Sequence, residues 1–218
     1  MNRADIAKRI ESTGIIPIIR APSLDLATRA ARAVLAAGID VIEITMSVPN
    51  ALDLLRQLNA EIGKDVLLGA GTVLDAKAAR ACIDAGAQFI VAPGLDIETI
   101  RATHDMDKPC MPGALTPTEV ITAWKAESEM VKIFPCSAMG GASYLRALRA
   151  PLPQIKLLPT GGVSLDTAAE FIRAGAAALG VGASLVDLKL LQQVGPDAIT
   201  EPFRKLIEVV RAARSASA

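Results

Sequence analysis

Leu24-Asp25-Leu26-Ala27-Thr28-Arg29-Ala30-Ala31-Arg32-Ala33-Val34-Leu35-Ala36-Ala37-Gly38-Ile39-Asp40-Val41-Ile42-Glu43-Ile44-Thr45-Met46 decides the architecture of the chain. Its first part, residues 24–37, is alanine-rich and repeats apolar side chains at helical spacing. Gly38 then stands where a helix ends in a left-handed residue, a conformation glycine adopts without steric cost. Residues 41–46 form a short, mostly apolar run, the pattern of a strand covered on both faces. A helix that passes directly into such a strand is the repeating unit of a parallel α/β fold.

The same succession recurs outward from this stretch. Ala85-Gly86 and Ala174-Gly175 repeat Ala37-Gly38, each ahead of a strand. Strands are expected over residues 15–20, 41–46, 66–70, 89–92, 109–111, 131–134, 156–159 and 177–181. Helices are expected over 24–37, 51–62, 76–85, 97–103, 117–126, 144–150 and 165–174. Gly38, Gly63, Gly86 and Gly175 suit helix C-termini, and Asp75, Thr116 and Ser164 suit N-caps. About eight such units predict one (β/α)₈ TIM barrel domain over residues 1–218. An extra N-terminal helix over 3–12 would plug its bottom, and a charged amphipathic helix over 197–215 would end it. The competing open, doubly wound sheet needs a glycine-rich dinucleotide turn after the first strand, and Arg20-Ala21-Pro22-Ser23 supplies none.

Composition narrows the function classes. Of 218 residues, 51% are hydrophobic and only 3% aromatic, so Ala, Val, Ile and Leu must build the core. Zero formal net charge, with no long run of one sign, argues against nucleic acid or a membrane surface as partner. Cys82, Cys110 and Cys136 lie far apart without CxxC spacing, which argues against a disulfide framework or cysteine zinc site and for a cytoplasmic protein. The first ten residues are charged and helix-like, with no apolar core of a signal peptide. His104, the single histidine, sits among Arg101, Thr103, Asp105 and Asp107 and reads as an exposed cap or turn residue, so no histidine-based metal site is expected. Trp124 and Tyr144 read as packing residues, and Met46, Met106, Met111, Met130 and Met139 as gap-fillers.

Barrel chemistry sits at the C-terminal ends of the strands, and several polar or glycine positions fall there. Lys132 interrupts the apolar run Met130-Val131-Lys132-Ile133-Phe134-Pro135. One reading is a lysine that snorkels its ammonium into water. The other is a buried amine that gives up its proton and attacks a carbonyl to form a Schiff base. Glu43, inside Val41-Ile42-Glu43-Ile44-Thr45, is either an ion-pair partner of Arg20 or Lys132 or a general acid–base. Thr160-Gly161-Gly162-Val163-Ser164 and Gly180-Val181-Gly182-Ala183-Ser184 each follow a strand, as the two turns of a phosphate cradle do. Gly71-Thr72 ends another strand, where the glycine permits close packing or Thr72 offers its hydroxyl to a carboxylate.

Together these stretches, with Ala85-Gly86-Ala87-Gln88-Phe89-Ile90-Val91-Ala92-Pro93-Gly94 and Leu158-Pro159-Thr160-Gly161-Gly162-Val163, resemble the 2-keto-3-deoxy-6-phosphogluconate aldolase and 4-hydroxy-2-oxoglutarate aldolase family of class I aldolases, from about residue 14 to 187. The resemblance implies a lyase of the Entner-Doudoroff pathway of carbohydrate metabolism, cleaving a phosphorylated keto acid to pyruvate and D-glyceraldehyde 3-phosphate. It implies Lys132 as Schiff-base lysine, Glu43 as acid–base, Thr72 on the pyruvoyl carboxylate, and Pro93 and Phe134 as pocket walls. It also implies Thr160 on the sugar hydroxyls, and Gly161, Gly162 and Ser184 at the phosphate. No metal or cofactor is implied, and a homotrimer is. One position departs: Ser47 stands where phosphogluconate-type members often carry an arginine, which phosphogalactonate-type relatives also lack, and Arg20 is the cation left for the carboxylate. The same chemistry on the phosphogalactonate or on 4-hydroxy-2-oxoglutarate is an alternative. A phosphate-binding isomerase or epimerase and a non-enzymatic sugar-phosphate binder are the rivals from other classes.

Overall fold

A computed structural model describes residues 1–62 and 65–216. After helix α1 (Arg3–Thr13), strands and helices alternate: β1 (Ile15–Ile19), α2 (Leu24–Ala36), β2 (Val41–Thr45), α3 (Ala51–Glu61), β3 (Leu67–Gly71), α4 (Ala76–Asp84), β4 (Phe89–Val91) and α5 (Ile97–His104). The second half runs β5 (Cys110–Met111), β6 (Gly113–Ala114), α6 (Pro117–Lys125), β7 (Val131–Ile133), α7 (Ala142–Arg149), β8 (Leu157–Pro159), α8 (Leu165–Arg173), β9 (Leu179–Val181), α9 (Leu188–Val194) and α10 (Asp197–Ser215). A 3-10 turn, Cys136–Met139, separates β7 from α7.

This is an α/β fold on parallel strands, curled into a six-stranded sheet, β5-β4-β3-β2-β1-β9, and a three-stranded one, β6-β7-β8. The expected fifth strand is longer than its sequence run and is interrupted at Pro112, which has no N–H to give to a ladder. Before the proline it pairs with β4, and after it with β7, where Lys132 N–H donates to the Pro112 carbonyl at 2.8 Å. A parallel bridge between Thr160 and Gly180 joins the end of β8 to β9.

The side chains explain the layering. Every residue of β1, β2 and β3 is buried, as covered strands require. Between sheets and helices lies the main core, which takes Ile19, Ile42, Leu68 and Ile90 from the strands and Leu26, Leu54, Leu145 and Phe203 from the helices. A second cluster fills the floor with Ile16, Val41, Leu67, Phe89, Met111 and Leu158, and helix α1 lays Ile6 and Ile10 onto it, the plugging role expected of it. Ser23, Asp75 and Thr116 cap their helices, Thr116 in a capping box with Glu119. Gly38, Gly86 and Gly175 follow their helices with positive φ, and Gly63 lies outside the described residues.

Some readings need correction. Helix α9 was unforeseen; Asp187 caps it by accepting from the N–H groups of Lys189 and Leu190. His104 does end α5, but its side chain is only 14% exposed, with Nε2 3.5 Å from the Glu129 carboxylate. Glu129 is shared with α1 through Arg3 Nε at 2.9 Å, so a floor ion pair covers the histidine. Trp124 is 43% exposed and Met139 44%, so neither fills the core. No helix among the described residues is long and apolar enough to cross a membrane.

Candidate active site

At the C-terminal ends of the strands lies a cavity of about 550 Å³. All ten residues singled out from the sequence border it: Lys132, Glu43, Arg20, Thr72 and Pro93, together with Phe134, Thr160, Gly161, Gly162 and Ser184. Ile18 also lines it and was not anticipated; it is one apolar residue of a uniformly apolar strand, so nothing in its type marks it.

Lys132 is the middle residue of β7 and only 5% exposed, so it is not a snorkelling lysine at a strand end. Its Nζ lies 5.0 Å from the centroid of the Phe134 ring. Glu43 is the middle residue of β2, 1% exposed, and is register partner to Ile18 on β1 and Gly69 on β3. Its Oε1 is buried without a hydrogen-bond partner, and it forms no ion pair among the described residues. Burial raises the Glu43 carboxyl above the usual carboxylate range, while the positive charges of Lys132 and then Arg20 pull it part of the way back. A carboxyl raised in this way holds a proton more readily than a free carboxylate does, and so can both accept and return one. Room for it comes from Gly71, where a Cβ would stand 1.7 Å from Oε1.

At one end of the cavity, Arg20 Nη2 donates to Thr72 Oγ1 at 3.3 Å. Thr72 has φ 57°, a left-handed conformation that a β-branched residue adopts at a cost of about 1–3 kcal/mol. Strain of this kind persists where the surroundings fix the residue, here between Arg20 and the end of β3. Ser47 is exposed and engaged by the buried Thr45 hydroxyl at 2.9 Å, which also reaches the Ile19 carbonyl at 3.1 Å. Pro93 and Phe134, from the turns after β4 and β7, form apolar walls.

The opposite end is built by the turns after β8 and β9. Gly161 and Gly162 have φ 92° and 78°, which glycine alone adopts readily. Thr160 Oγ1 is buried and without a partner among the described residues. Ser184 Oγ donates to the Val163 carbonyl at 2.5 Å and so ties the two turns together. Its one hydrogen is engaged there, and the hydroxyl can donate to another acceptor only by rotating away from that carbonyl. No group of three His, Cys, Asp or Glu side chains among the described residues is placed to hold a metal ion.

A family model described as KDPG and KHG aldolase matches residues 6–201. The chain belongs to that aldolase family. It is 31% identical to the KHG/KDPG aldolase of Escherichia coli K12 over 93% of this chain and 95% of that one. To the 2-dehydro-3-deoxy-6-phosphogalactonate aldolase of the same organism it is 37% identical, over 78% of this chain and 83% of the relative. The Legionella pneumophila KDPG aldolase structure, with pyruvate captured at low pH as a covalent carbinolamine, superposes with a TM-score of 0.84 at 29% identity, over 92% of this chain and 97% of that one.

Proposed function

We propose that this protein is a class I aldolase that cleaves 2-keto-3-deoxy-6-phosphogluconate reversibly to pyruvate and D-glyceraldehyde 3-phosphate. The carrying observation is that one cavity holds a buried lysine and a buried, unpaired carboxyl, with a two-glycine turn at its far end. Lys132 adds to the keto carbon to give a carbinolamine. Protonated Glu43 gives its proton to the departing hydroxyl, and water leaves an iminium. Glu43, now a carboxylate, takes the proton of the C4 hydroxyl. The C3–C4 electron pair flows into the iminium, releasing the aldehyde and an enamine. Protonation and hydrolysis of the enamine return pyruvate and the free lysine. Arg20 and Thr72 hold the substrate carboxylate, Pro93 and Phe134 flank the pyruvoyl part, and Thr160 meets a sugar hydroxyl. Gly161, Gly162 and Ser184 receive the phosphate. Borohydride reduction in the presence of pyruvate tests the assignment: a reduced pyruvyl group on the Lys132 peptide is expected, and an unmodified Lys132 would sink the Schiff-base mechanism.

Ser47 is the observation that favours a second substrate of the same chemistry, the C4-epimeric phosphogalactonate. A side chain tied to Thr45 leaves Arg20 as the cation beside the carboxylate end. The unpartnered Thr160 hydroxyl supports the gluconate form. Cleavage rates on both epimers, each with and without the phosphate, decide between them and the shorter 4-hydroxy-2-oxoglutarate.

The two sheets are further inferred to close into one eight-stranded barrel. The Thr160–Gly180 bridge and the continuity of β5 with β6 through Pro112 support this. A homotrimer in the cytoplasm is the inferred setting. Exposed Leu74 and Trp124 offer apolar surface for association, and three buried free thiols suit a reducing compartment. Sedimentation equilibrium at a mass other than three chains would refute the trimer.

A further inference from the structure

The Schiff-base nitrogen needs a partner for its positive charge, and the carboxyl beside it is an unsteady one. Glu43 takes up and returns a proton in each turnover under the reading above, so its charge alternates. Arg20, the other charged group facing this pair, repels a cation. Lys132 itself forms no ion pair among the described residues. What does stand over its Nζ is the Phe134 ring, 5.0 Å from nitrogen to centroid. Its position is fixed by the backbone: Phe134 directly follows β7, and its N–H donates to the Ala114 carbonyl at 3.3 Å. The face of a ring carries negative potential and does not titrate.

From this geometry we infer that Phe134 is a positioning residue whose ring face keeps the imine on Lys132 protonated. The role rests on the Schiff-base reading and extends it. A protonated imine draws the C3–C4 electron pair onto nitrogen. Loss of its proton to solvent leaves a neutral imine that accepts the pair poorly. The ring favours the cation over the neutral form and so extends the pH range in which cleavage proceeds. A plain apolar wall would instead act on substrate affinity, with no preference between the two forms.

Three variants separate these roles. Phe134→Leu removes the ring, Phe134→pentafluorophenylalanine keeps its shape but reverses the polarity of its face, and Phe134→Tyr preserves it. The dependence of kcat on pH reports groups in the enzyme–substrate complex. Phe134 is 37% exposed, so the modest end of cation–π strength applies. The alkaline limb of kcat is expected to move down by about half a pH unit in the leucine and fluorinated variants, which is about a threefold loss of kcat on that limb. The tyrosine variant keeps the wild-type limb. A ratio of variant to wild-type kcat that is constant across pH, whatever happens to KM, overturns the inference. Borohydride trapping of pyruvate on the wild-type protein is run alongside. Absence of an adduct at Lys132 removes the Schiff-base reading itself, whereas trapping with an unmoved limb removes only the role of the ring.

Discussion

Replacing Gly71 by alanine tests whether the position of Glu43 sets the rate. The new Cβ would stand 1.7 Å from Glu43 Oε1 and 2.3 Å from its carboxyl carbon. Carbon and oxygen settle at roughly 3.5 Å, so the carboxyl must retreat by about 1.5–2 Å. The φ of Gly71 lies outside the left-handed region, so alanine suits the backbone, and the flexible side chain beside the open cavity is what gives way. Misplacing a reacting group by about 1 Å costs on the order of 10²-fold, and complete loss of general acid–base catalysis about 10²–10⁴-fold. A fall in kcat of about 10²–10³-fold is expected, with a stability change no larger than the roughly 1–3 kcal/mol of ordinary overpacking. Gly69→Ala is the control, two residues earlier on β3. There the Cβ would stand 2.1 Å from the Phe89 ring, which is fully buried in the floor and has no open side to move into. Its cost falls on stability, about 1–3 kcal/mol by urea denaturation, while the folded fraction keeps its kcat. Pyruvate release coupled to lactate dehydrogenase gives the rates. A Gly71→Ala enzyme within about threefold of wild type, less than 1 kcal/mol in barrier height, would refute the reasoning. So would a Gly69→Ala enzyme that loses as much kcat as Gly71→Ala.

Lys132→Met should leave the protein folded and unable to form the borohydride-stable pyruvate adduct; an adduct on that variant would place the chemistry elsewhere. Glu43→Gln should lose turnover yet gain stability at neutral pH. Burial raises the folded-state pKa of Glu43 above its ordinary 4.5, so the folded protein binds the proton more tightly than the unfolded chain. That contribution is fully present below the ordinary value and is lost as pH rises through the folded value. The advantage of the glutamine variant should therefore grow from pH 4.5 upward and vanish below it, and urea midpoints showing the opposite trend would contradict the sign. Arg20→Lys exchanges a planar fork for a point charge, and kcat/KM should fall about tenfold for every substrate of the series, with or without phosphate. Ser184→Ala should instead raise KM for phosphorylated substrates alone, and an equal loss on unphosphorylated ones would remove Ser184 from the phosphate end.

Legibility in the sequence followed the range of the physics. Strand runs, helix periods and caps depend on neighbours in the chain, and Asp75, Thr116 and the glycines after α2, α4 and α8 stand where local rules put them. Strand-end placement of polar residues carried the site as well, because a barrel collects those ends on one face. What stayed hidden depends on contacts across strands. Gly71 looks like a packing glycine until the register of β2 against β3 brings the Glu43 carboxyl over it. Pro112 reads as the end of a strand, yet its carbonyl serves β7 while its missing N–H splits the run in two. His104 looks solvated beside its charged neighbours, and only the fold brings Glu129, just ahead of β7, and Arg3 of α1 towards it.

The departures from good structural practice are not scattered. Four buried side-chain atoms lack a hydrogen-bond partner among the described residues, and two of them, Glu43 Oε1 and Thr160 Oγ1, face the same cavity. The strained Thr72 faces it too. Each of these is unfavourable by itself, and a stability optimum would have paired or replaced it. Under the proposed function, the carboxylate and the hydroxyls of the keto acid would give Thr72, Glu43 and Thr160 a partner each. The other two unpartnered atoms, His104 Nε2 and Ser128 Oγ, belong instead to the elements around Glu129 at the floor. The predicted gain in stability of Glu43→Gln is thus the measure of how much the chain gives up to keep a carboxyl buried beside a lysine.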